Sequence, residues 1–301
     1  MKIVTAIDSF KGSMTSIEAG NAFSDGFHRV FPDAEIIVRP LADGGEGTVE
    51  ALTNGMNGHL EHVTVSGPFG QPVDCAYGLI QDSMTAVIEM SGAAGITLVP
   101  AEDLNPLMAT TYGVGEVIAD AIKKGCRHFI IGIGGSATND GGAGMLQALG
   151  FGLLDDDGRE IPRGAEGLEK LAVITTDQVI PELSECTFRI ACDVTNPLCG
   201  SNGCSSVFGP QKGAGPEDIE KMDRCLARYA KVARALHPDA DPEFPGTGAA
   251  GGMGFAFRTF LPAKLESGIQ IVLEETRLES YLKDADLIIT GEGRLDCQTA
   301  M

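Results

Sequence analysis

Short apolar runs alternate with amphipathic segments along most of this chain. Apolar runs of strand length occupy residues 1–7, 35–41 and 128–134, and glycines or polar residues and then a helical pattern follow each of them. Alternation of buried strands with helices is typical of an α/β protein with a mostly parallel sheet. Residues 61–100 differ, because their short strands are separated by Gly and Pro turns. That pattern indicates antiparallel pairing in the middle of the chain.

Two helices carry clear sequence signals. Thr15 and Glu18 have the spacing of a capping box, which predicts a helix starting directly after Thr15. Residues 216–237 combine charged residues with apolar residues at helical spacing, and they predict a long amphipathic helix. The first helix would follow the first strand, as expected for a parallel α/β unit.

The strand-to-glycine-loop layout of the N-terminus recurs near the end of the chain, in DADLIITGEGRLD (284–296). We therefore predict an α/β fold with two α/β domains. Residues 1–64 and 285–301 would form a discontinuous domain with a parallel sheet, and residues 65–284 an inserted mixed-sheet domain, with the active site in the cleft between them. The last loop should lead into a helix, so we expect further residues beyond Met301 and little activity from a chain that ends there.

The charge balance limits the possible partners. Lys and Arg number 22 against 42 Asp and Glu, which gives a formal net charge of −20. A sequence-independent nucleic-acid binder needs a basic surface, so that class is excluded. No apolar run reaches transmembrane length, no secretory signal is present, and the eight cysteines form no CxxC pair. We expect a cytoplasmic protein with reduced thiols and no membrane partner, acting on a small molecule.

The clearest candidate for chemistry is the glycine loop GIGGSATNDGGAG, residues 132–144. Glycines allow the backbone to turn and bring N–H groups close to an anion, and the helix that follows adds its partial positive charge. The sequence therefore predicts a phosphate or carboxylate site here. Its expected donors are Gly134, Gly135, Ser136, Thr138 and Asn139.

The same loop nearly matches a dinucleotide fingerprint, through Gly132-x-Gly134-x-x-Ala137 and the acidic Asp155 at the end of the next predicted strand. The NDGG segment interrupts the expected passage into a helix, and no GxxxxGK[ST] sequence exists. A nicotinamide-dependent hydroxyacid oxidoreductase nevertheless stays open as one alternative. A non-catalytic sugar-acid-binding regulator is the other.

Two further long loops are rich in glycine. Residues 192–216 contain Asp193, Asn196 and Lys212, and residues 246–260 contain Gly251 and Gly252. Long irregular loops in compact domains tend to be functional. We therefore count these residues among the candidates for substrate or phosphate binding, apart from Asp193, which is a candidate base.

Acidic residues follow several predicted strands. Asp8, Asp43 and Asp296 lie just after strand-like runs, and Lys11 and Glu46 lie in the same loops. The carboxyl ends of parallel strands meet at one edge of a sheet, so these side chains should converge. Carboxylates beside a lysine are typical of a Mg²⁺–phosphate site.

Seven motifs together resemble the type I family of bacterial glycerate kinases, and they occur in order along the chain. They are D-S-F-K-G-S (8–13), L-A-D-G-G-E-G-T (41–48), N-P-L-M-A-T-T-Y-G-V-G-E (105–116), G-I-G-G-S-A-T-N-D-G-G-A-G (132–144), C-D-V-T-N-P-L (192–198), G-T-G-A-A-G-G-M-G (246–254) and G-E-G-R-L-D (291–296). Cys297 departs from the pattern, where we expect a small residue such as Gly or Ser.

The resemblance implies two α/β domains, one of them flavodoxin-like and discontinuous. It implies transfer of the ATP γ-phosphoryl group to D-glycerate with Mg²⁺, in the breakdown of glyoxylate and sugar acids. The favoured product is 2-phosphoglycerate, although 3-phosphoglycerate has also been assigned in this family. Whether the protein forms a homodimer is left open.

The roles of individual residues follow from the chemistry of phosphoryl transfer, which needs charge neutralisation and an acceptor for the alcohol proton. Asp193 is the predicted base and Asp8 its rival, while Lys11 and Arg294 neutralise charge on the transferred group. The predicted metal ligands, direct or through water, are Asp43, Glu46 and Asp296. The predicted anion-binding residues are Gly134, Gly135, Ser136, Thr138, Asn139, Asn196, Lys212, Gly251 and Gly252.

Overall fold

The structure is a computed structural model that describes residues 1–10, 12–42, 45 and 47–293. Its strands form two main sheets and a small two-stranded one. The fold is α/β, as predicted, with one parallel and one mixed main sheet. Among the described residues, no helix is both long and apolar enough to cross a membrane.

The first sheet is parallel and joins the two ends of the described chain. Its central strand β1 (Lys2–Ile7) lies between β11 (Leu287–Gly291) and β2 (Glu35–Val38). Ile3 pairs with Leu287 and Lys2 with Glu35. Nearly all of β1 is buried, which explains its continuous apolar run. This sheet has the discontinuous, parallel arrangement that the recurring strand-loop pattern predicted.

Two helices follow the first two strands. Helix α1 (Ser16–His28) begins at the predicted capping box, in which Thr15 Oγ1 accepts from the Glu18 N–H at 3.2 Å and Glu18 Oε2 accepts from the Thr15 N–H at 2.8 Å. Helix α2 (Thr48–Gly55) begins after Gly47, which is left-handed at φ 89°. The capping box is thus confirmed.

The second sheet has six strands in the order β10-β9-β6-β5-β4-β3. Strands β3, β4 and β5 pair antiparallel, as predicted for residues 61–100, and β5, β6, β9 and β10 pair parallel. The bounds are β3 (His59–Ser66), β4 (Pro72–Ile80), β5 (Thr85–Glu89), β6 (His128–Gly132), β9 (Thr187–Ala191) and β10 (Ala263–Glu266). The two-stranded sheet pairs β7 (Gly152–Leu154) with β8 (Val173–Thr175) antiparallel.

The predicted domain boundary at residue 64 falls inside β3, and the whole of β3 from His59 pairs with β4. Residues 59–64 therefore lie in the six-stranded sheet and not in the first one. A purely sequence-based boundary misses this because the first three residues of β3 are largely exposed and lack a continuous apolar run. The division of the chain into two domains otherwise stays a prediction.

Eight more helices follow in the described chain, and the last of them packs on the first sheet through Leu278. They are α3 (Ser91–Ala94), α4 (Tyr112–Lys123), α5 (Ala143–Ala148), α6 (Cys204–Phe208), α7 (Pro216–Leu236), α8 (Ala249–Phe260), α9 (Gly268–Glu275) and α10 (Leu278–Leu282). Helix α7 is the predicted amphipathic helix, and its apolar face includes the buried Leu226 and Tyr229. Most of these helices enclose the larger of the hydrophobic cores.

Alternate residues of the central strands face opposite sides of the six-stranded sheet. On β6, Phe129 and Ile131 belong to the larger core, whereas Ile130 belongs to a smaller core on the other face. In that smaller core Leu52 of α2 and Val272 of α9 pack with Ile130. Helix α2, although it follows the first sheet in sequence, thus covers one face of the second.

Leu52 is fully buried at the packing of α2 on the six-stranded sheet. We expect Leu52→Ala to lower the free energy of unfolding by about 2–5 kcal/mol, because it removes buried methyl groups and leaves a cavity. Urea denaturation measures this change. Val30→Ala, at a side chain that is 71% exposed, is the control and should change stability by less than about 0.5 kcal/mol. Equal effects of the two substitutions would contradict the packing described here.

Candidate active site

A cavity of about 440 Å³ lies at the carboxyl ends of β6 and β9. We call it the glycine-loop cavity. This is the edge of an open parallel sheet at which ligands bind. Gly45, from the loop before α2, reaches the same cavity. The other residues that line it are Ile96, Ile133, Gly134, Gly135, Ser136, Ala191, Cys192, Asp193, Val194, Phe208, Gln211, Lys212, Ala249 and Ala250.

The glycine loop forms one wall of this cavity. Gly134 and Gly135 are exposed there, and Gly135 is left-handed at φ 72°. The loop is fixed to α3 and its neighbours, because the Ala137 N–H donates to the Ala94 carbonyl at 2.9 Å and the Ile96 N–H donates to the Gly135 carbonyl at 2.8 Å. The exposed glycine backbone is therefore held in place and available to a ligand.

The NDGG segment has a clear structural role. Gly141 and Gly142 are both left-handed, at φ 65° and 76°, and α5 begins only after them at Ala143. In a dinucleotide fingerprint the glycines pass directly into the helix. The two additional left-handed residues thus distinguish this loop from the turn of a dinucleotide-binding site.

Lys212 is the central charged residue of the cavity. Its side chain is only 2% exposed, and its ammonium donates to Ser136 Oγ at 2.7 Å and to the Thr138 carbonyl at 2.6 Å. In the described part of the chain no carboxylate forms an ion pair with it, and burial lowers its pKa to about 8. An ammonium has three protons, so one is left for a ligand. Burial of a cation without an ionic partner costs free energy, and an anionic ligand would offset that cost.

Asp140 lies on the other side of the glycine loop, fully buried. Its Oδ2 accepts from the Thr111 N–H at 2.8 Å, from Thr111 Oγ1 at 2.9 Å and from the Gly144 N–H at 3.2 Å, and its Oδ1 accepts from the Gly142 N–H at 3.1 Å. Burial raises the pKa of this carboxyl, while these donors act in the opposite direction. Asp140 thereby ties residues 105–116 to the glycine loop.

The sequence analysis did not select Asp140. The available signal was an Asp directly before two glycines and the start of a helix, where a carboxylate can accept free N–H groups. The pair Thr110–Thr111, which supplies the other donors, lies in a separate motif. Only the fold brings the two segments together.

Thr138 and Asn139 are fully buried and do not line the cavity. Asn139 Nδ2 donates to Ser205 Oγ at 2.8 Å, and the Thr138 carbonyl accepts from Lys212. The expected direct hydrogen bonds from these side chains to an anion therefore do not fit their position. Both residues are buried where the loop contacts Ser205 of α6 and the segment that carries Lys212.

Gly251 and Gly252 also lie behind the cavity. Both are left-handed, and a Cβ on Gly251 would approach the Thr138 carbonyl to 2.0 Å. The Gly251 carbonyl accepts from the Gly141 N–H at 2.9 Å. These glycines permit a close approach of α8 to the glycine loop, and it is the preceding Ala249 and Ala250 that line the cavity.

Asn196 is directed to its own loop, where Nδ2 donates to the Asn202 carbonyl at 2.9 Å. It does not line the cavity. Asp193 does line it, as an exposed residue just after β9. Both carboxylate oxygens of Asp193 accept from the Gly268 N–H, at 3.1 and 3.3 Å, at the start of α9. Asp193 therefore also stabilises a helix N-terminus, a role that the sequence analysis missed.

A smaller cavity of about 250 Å³ lies beside the loop that follows β1, and we call it the hydroxyl-lined cavity. Asp8, at the end of β1, is close by in the chain. Its backbone N–H donates to the Gly291 carbonyl at 2.9 Å, so the ends of β1 and β11 meet at one edge as predicted. The cavity is lined by Ser9, Gly12, Ser13, Met14, Thr15, Ser16, Glu18 and Gly47.

The remaining predicted residues lie outside the described part of the chain. They are Lys11, Asp43, Glu46, Arg294 and Asp296. Among the described residues, no group of three or more His, Cys, Asp or Glu side chains is arranged to hold a metal ion. The three predicted metal ligands are all in the undescribed set, so their assignment stays a prediction.

The low pKa of Lys212 makes stability depend on pH. Between pH 8 and the ordinary lysine pKa of 10.5, the unfolded chain keeps this proton while the folded chain releases it, so folding becomes more favourable as pH rises. We expect wild type to gain up to about 3 kcal/mol relative to Lys212→Met across this window. Urea denaturation of both proteins at several pH values measures the difference, in which the other titrating groups cancel.

Lys123→Met, at an exposed lysine of α4, is the matched control and should track wild type throughout. A constant difference between wild type and Lys212→Met from pH 7 to pH 10.5 would show that the Lys212 ammonium is not desolvated.

Comparison with known proteins identifies the family. The model of the glycerate kinase family matches residues 3–301. The chain is 50% identical to the glycerate 2-kinase of Escherichia coli K12, over 99% of this chain and 78% of that protein, and 48% identical to the glycerate kinase of Bacillus subtilis 168, again over 99% and 78%. A crystal structure described as a glycerate kinase 2 from Salmonella typhimurium LT2 superposes with a TM-score of 0.95 at 50% identity, covering 100% of this chain and 80% of that one. This chain belongs to the glycerate kinase family.

Proposed function

We propose that this protein is a glycerate kinase that transfers the γ-phosphoryl group of ATP to a hydroxyl group of D-glycerate. The observation that carries the proposal is the buried Lys212 ammonium, held against an exposed glycine backbone at the carboxyl ends of parallel strands, in a member of this family. A fixed cation beside backbone N–H groups is what a phosphoryl group needs as its negative charge redistributes.

The catalytic roles proposed for the remaining residues rest on chemistry and position. Asp193, at the cavity, accepts the proton of the attacking hydroxyl, with Asp8 as the rival base. Lys11 and Arg294 add positive charge near the transferred group. Since phosphoryl transfer depends on positioning and electrostatics more than on covalent chemistry, these groups together account for the reaction class.

We also propose Mg²⁺ as the metal, held by Asp43, Glu46 and Asp296 directly or through water. These are oxygen ligands, which Mg²⁺ prefers, and they follow strands of the first sheet in sequence. When bound, the ion would neutralise charge on the phosphate oxygens.

The proposed product is 2-phosphoglycerate, with 3-phosphoglycerate as the alternative. Support for the 2-position comes from the relative in Escherichia coli, which is named a glycerate 2-kinase. Both hydroxyls belong to one small substrate, so the product must be identified directly. Coupling to enolase, which consumes only the 2-phosphate, separates the two products.

The oxidoreductase alternative loses its basis in the structure. A dinucleotide site needs its ribose-binding carboxylate at the end of the next strand of the same sheet. Asp155 instead follows β7, which pairs antiparallel with β8 in a separate sheet, and it accepts the N–H groups of Asp157 and Arg159 in an exposed turn. The alternative of a non-catalytic regulator finds no support either, because the relatives reported above are named kinases.

Two expectations about the protein in the cell stay predictions. One is the cytoplasmic location, and the other is the state of assembly, for which a homodimer was left open. Light scattering of the purified protein gives the mass in solution and settles the second.

We expect the protein to release ADP when given ATP, Mg²⁺ and D-glycerate, and to oxidise or reduce no nicotinamide cofactor. A coupled ADP-release assay measures this, and omission of D-glycerate is the control. Failure of D-glycerate to stimulate ADP release would contradict the proposed function.

We expect Asp193→Asn to lower kcat by roughly 10²–10⁴, the usual contribution of a positioned base. Asn can still accept the Gly268 N–H, so the contact to α9 is kept while the proton acceptor is lost. Stopped-flow or steady-state kinetics of Asp193→Asn and Asp8→Asn identify which carboxylate is the base.

Asp33→Asn, at an exposed surface residue, serves as the control and should leave kcat unchanged. If Asp193→Asn has near wild-type kcat, the carboxylate only stabilises α9, and the assignment of the base passes to Asp8 if that variant is the slow one.

A further inference from the structure

The glycine-loop cavity has a lining that does not suit glycerate. Most of its side chains are apolar, and its polar side chains are Ser136, Asp193, Gln211 and Lys212, besides the thiol of Cys192. Glycerate carries an oxygen on each of its three carbons, so it has little apolar surface to bury. A volume of about 440 Å³ falls in the range of about 300–1,000 Å³ that is typical of pockets for larger ligands. The main apolar side chains are Ile96, Ile133, Val194 and Phe208.

We propose that the glycine-loop cavity holds the nucleotide and that the hydroxyl-lined cavity holds the acceptor acid. The inference rests on the proposed kinase function and assigns each substrate to its own site. The alcohol to be phosphorylated faces out of the hydroxyl-lined cavity towards Asp193, which lines the glycine-loop cavity and takes the proton. The adenine base lies against Phe208 and its apolar neighbours, and the phosphates lie against Lys212 and the exposed backbone of Gly134 and Gly135.

The polarity of the larger cavity supports this orientation of the nucleotide. The Lys212 ammonium has two protein acceptors, Ser136 Oγ and the Thr138 carbonyl, and its third proton is available to a phosphate oxygen. Phe208 is the last residue of α6, and Lys212 ends the short 3₁₀ helix that follows, so both belong to one segment of chain. One segment thus supplies a flat apolar surface for a base and a cation for the phosphates.

The hydroxyl-lined cavity has the size and chemistry expected for the acceptor. At about 250 Å³ it is much smaller, and Ser9, Ser13, Thr15 and Ser16 contribute hydroxyl groups to its lining or its edge. Ser9 Oγ is buried and has no hydrogen-bond partner among the described residues. A buried hydroxyl without a partner is costly, and a hydroxylated ligand would provide one.

The two cavities are neighbours. Gly45 lines the larger cavity and Gly47 lines the smaller one, and two residues of chain span at most about 7 Å. A phosphoryl group at the edge of the first cavity therefore lies near an alcohol in the second. Such an arrangement brings the phosphoryl donor and the acceptor alcohol together.

The first test targets the binding of the adenine base. We expect Phe208→Ala to raise the Kd for ADP and the KM for ATP by about tenfold or more, with the KM for D-glycerate unchanged. Isothermal titration calorimetry with ADP and steady-state kinetics measure these values, and Phe208→Leu, which keeps apolar contact, should show a smaller effect. Phe69→Ala, at an exposed phenylalanine outside both cavities, is the matched control and should bind ADP as wild type does.

The second test targets the phosphates. Wild type should bind ADP much more tightly than adenosine, and in Lys212→Met the two affinities should converge, because the ammonium contacts only the phosphates. An equal fold loss of ADP and adenosine binding in Lys212→Met would show that the ammonium does not act on the phosphates, and it would overturn their placement.

The third test targets the acceptor. We expect Ser9→Ala to raise the KM for D-glycerate several-fold and to abolish the thermal stabilisation by D-glycerate, while the Kd for ADP and the melting temperature without ligand stay the same. A merely structural role of Ser9 would change the melting temperature without ligand and not the glycerate response.

The outcomes separate this inference from the proposed function. A raised KM for glycerate with unchanged ADP binding in Phe208→Ala would overturn the inference and leave a working glycerate kinase. The opposite result has two parts: ADP binding that depends on Phe208, and no ADP release in response to D-glycerate. That result would overturn the proposed function and keep the nucleotide site.

Discussion

The ammonium of Lys212 and the carboxylate of Asp140 lie on opposite sides of one glycine loop, and both are almost completely buried. Neither contacts the other, yet their charges favour each other's ionised forms, which partly offsets the cost of removing each from water. The loop between them supplies the hydrogen-bond partners: the Thr138 carbonyl to Lys212, and the Gly142 and Gly144 N–H groups to Asp140. The geometry of the cavity depends on this arrangement, because a shift of the loop would break contacts on both sides.

The rest of the molecule holds that loop from several directions. Strand β6 delivers it to the sheet edge, the segment after α6 places Lys212 over it, and α8 approaches it through two left-handed glycines. On the other face of the sheet, α2 packs through Leu52, and Gly45 and Gly47, just before α2, line the two cavities. The candidate site is therefore shared by residues that belong to different sheets.

Much of the fold was predictable because its signals are local. The alternation of strand and helix, the capping box at Thr15 and the amphipathic helix α7 all follow from nearest-neighbour patterns, and the structure confirms them. Lys212 and the glycine loop, both predicted from glycine-rich loops after strands, line the same cavity, and their role as anion ligands stays a prediction.

Orientation was less accessible from the sequence. Thr138 and Asn139 were expected to bind an anion, but both are buried away from the cavity, where the Thr138 carbonyl accepts from Lys212 and Asn139 Nδ2 donates to Ser205. Asp140 was overlooked because its partner Thr111 lies 29 positions away. A pattern of residue types shows which groups a loop contains, whereas long-range packing decides which of them reach the ligand.

The pairing of β1 with β11 has a consequence for how the chain is made. Ile3 pairs with Leu287, so the central strand of the first sheet gains its second neighbour only when nearly the whole described chain has left the ribosome. At roughly 5–20 residues per second, β1 waits about 15–60 s after its own synthesis. The strands of the six-stranded sheet, between His59 and Glu266, are all made within that interval. The nascent protein therefore carries an apolar strand with one open edge for many seconds, and such an edge is a template for pairing with another chain during translation.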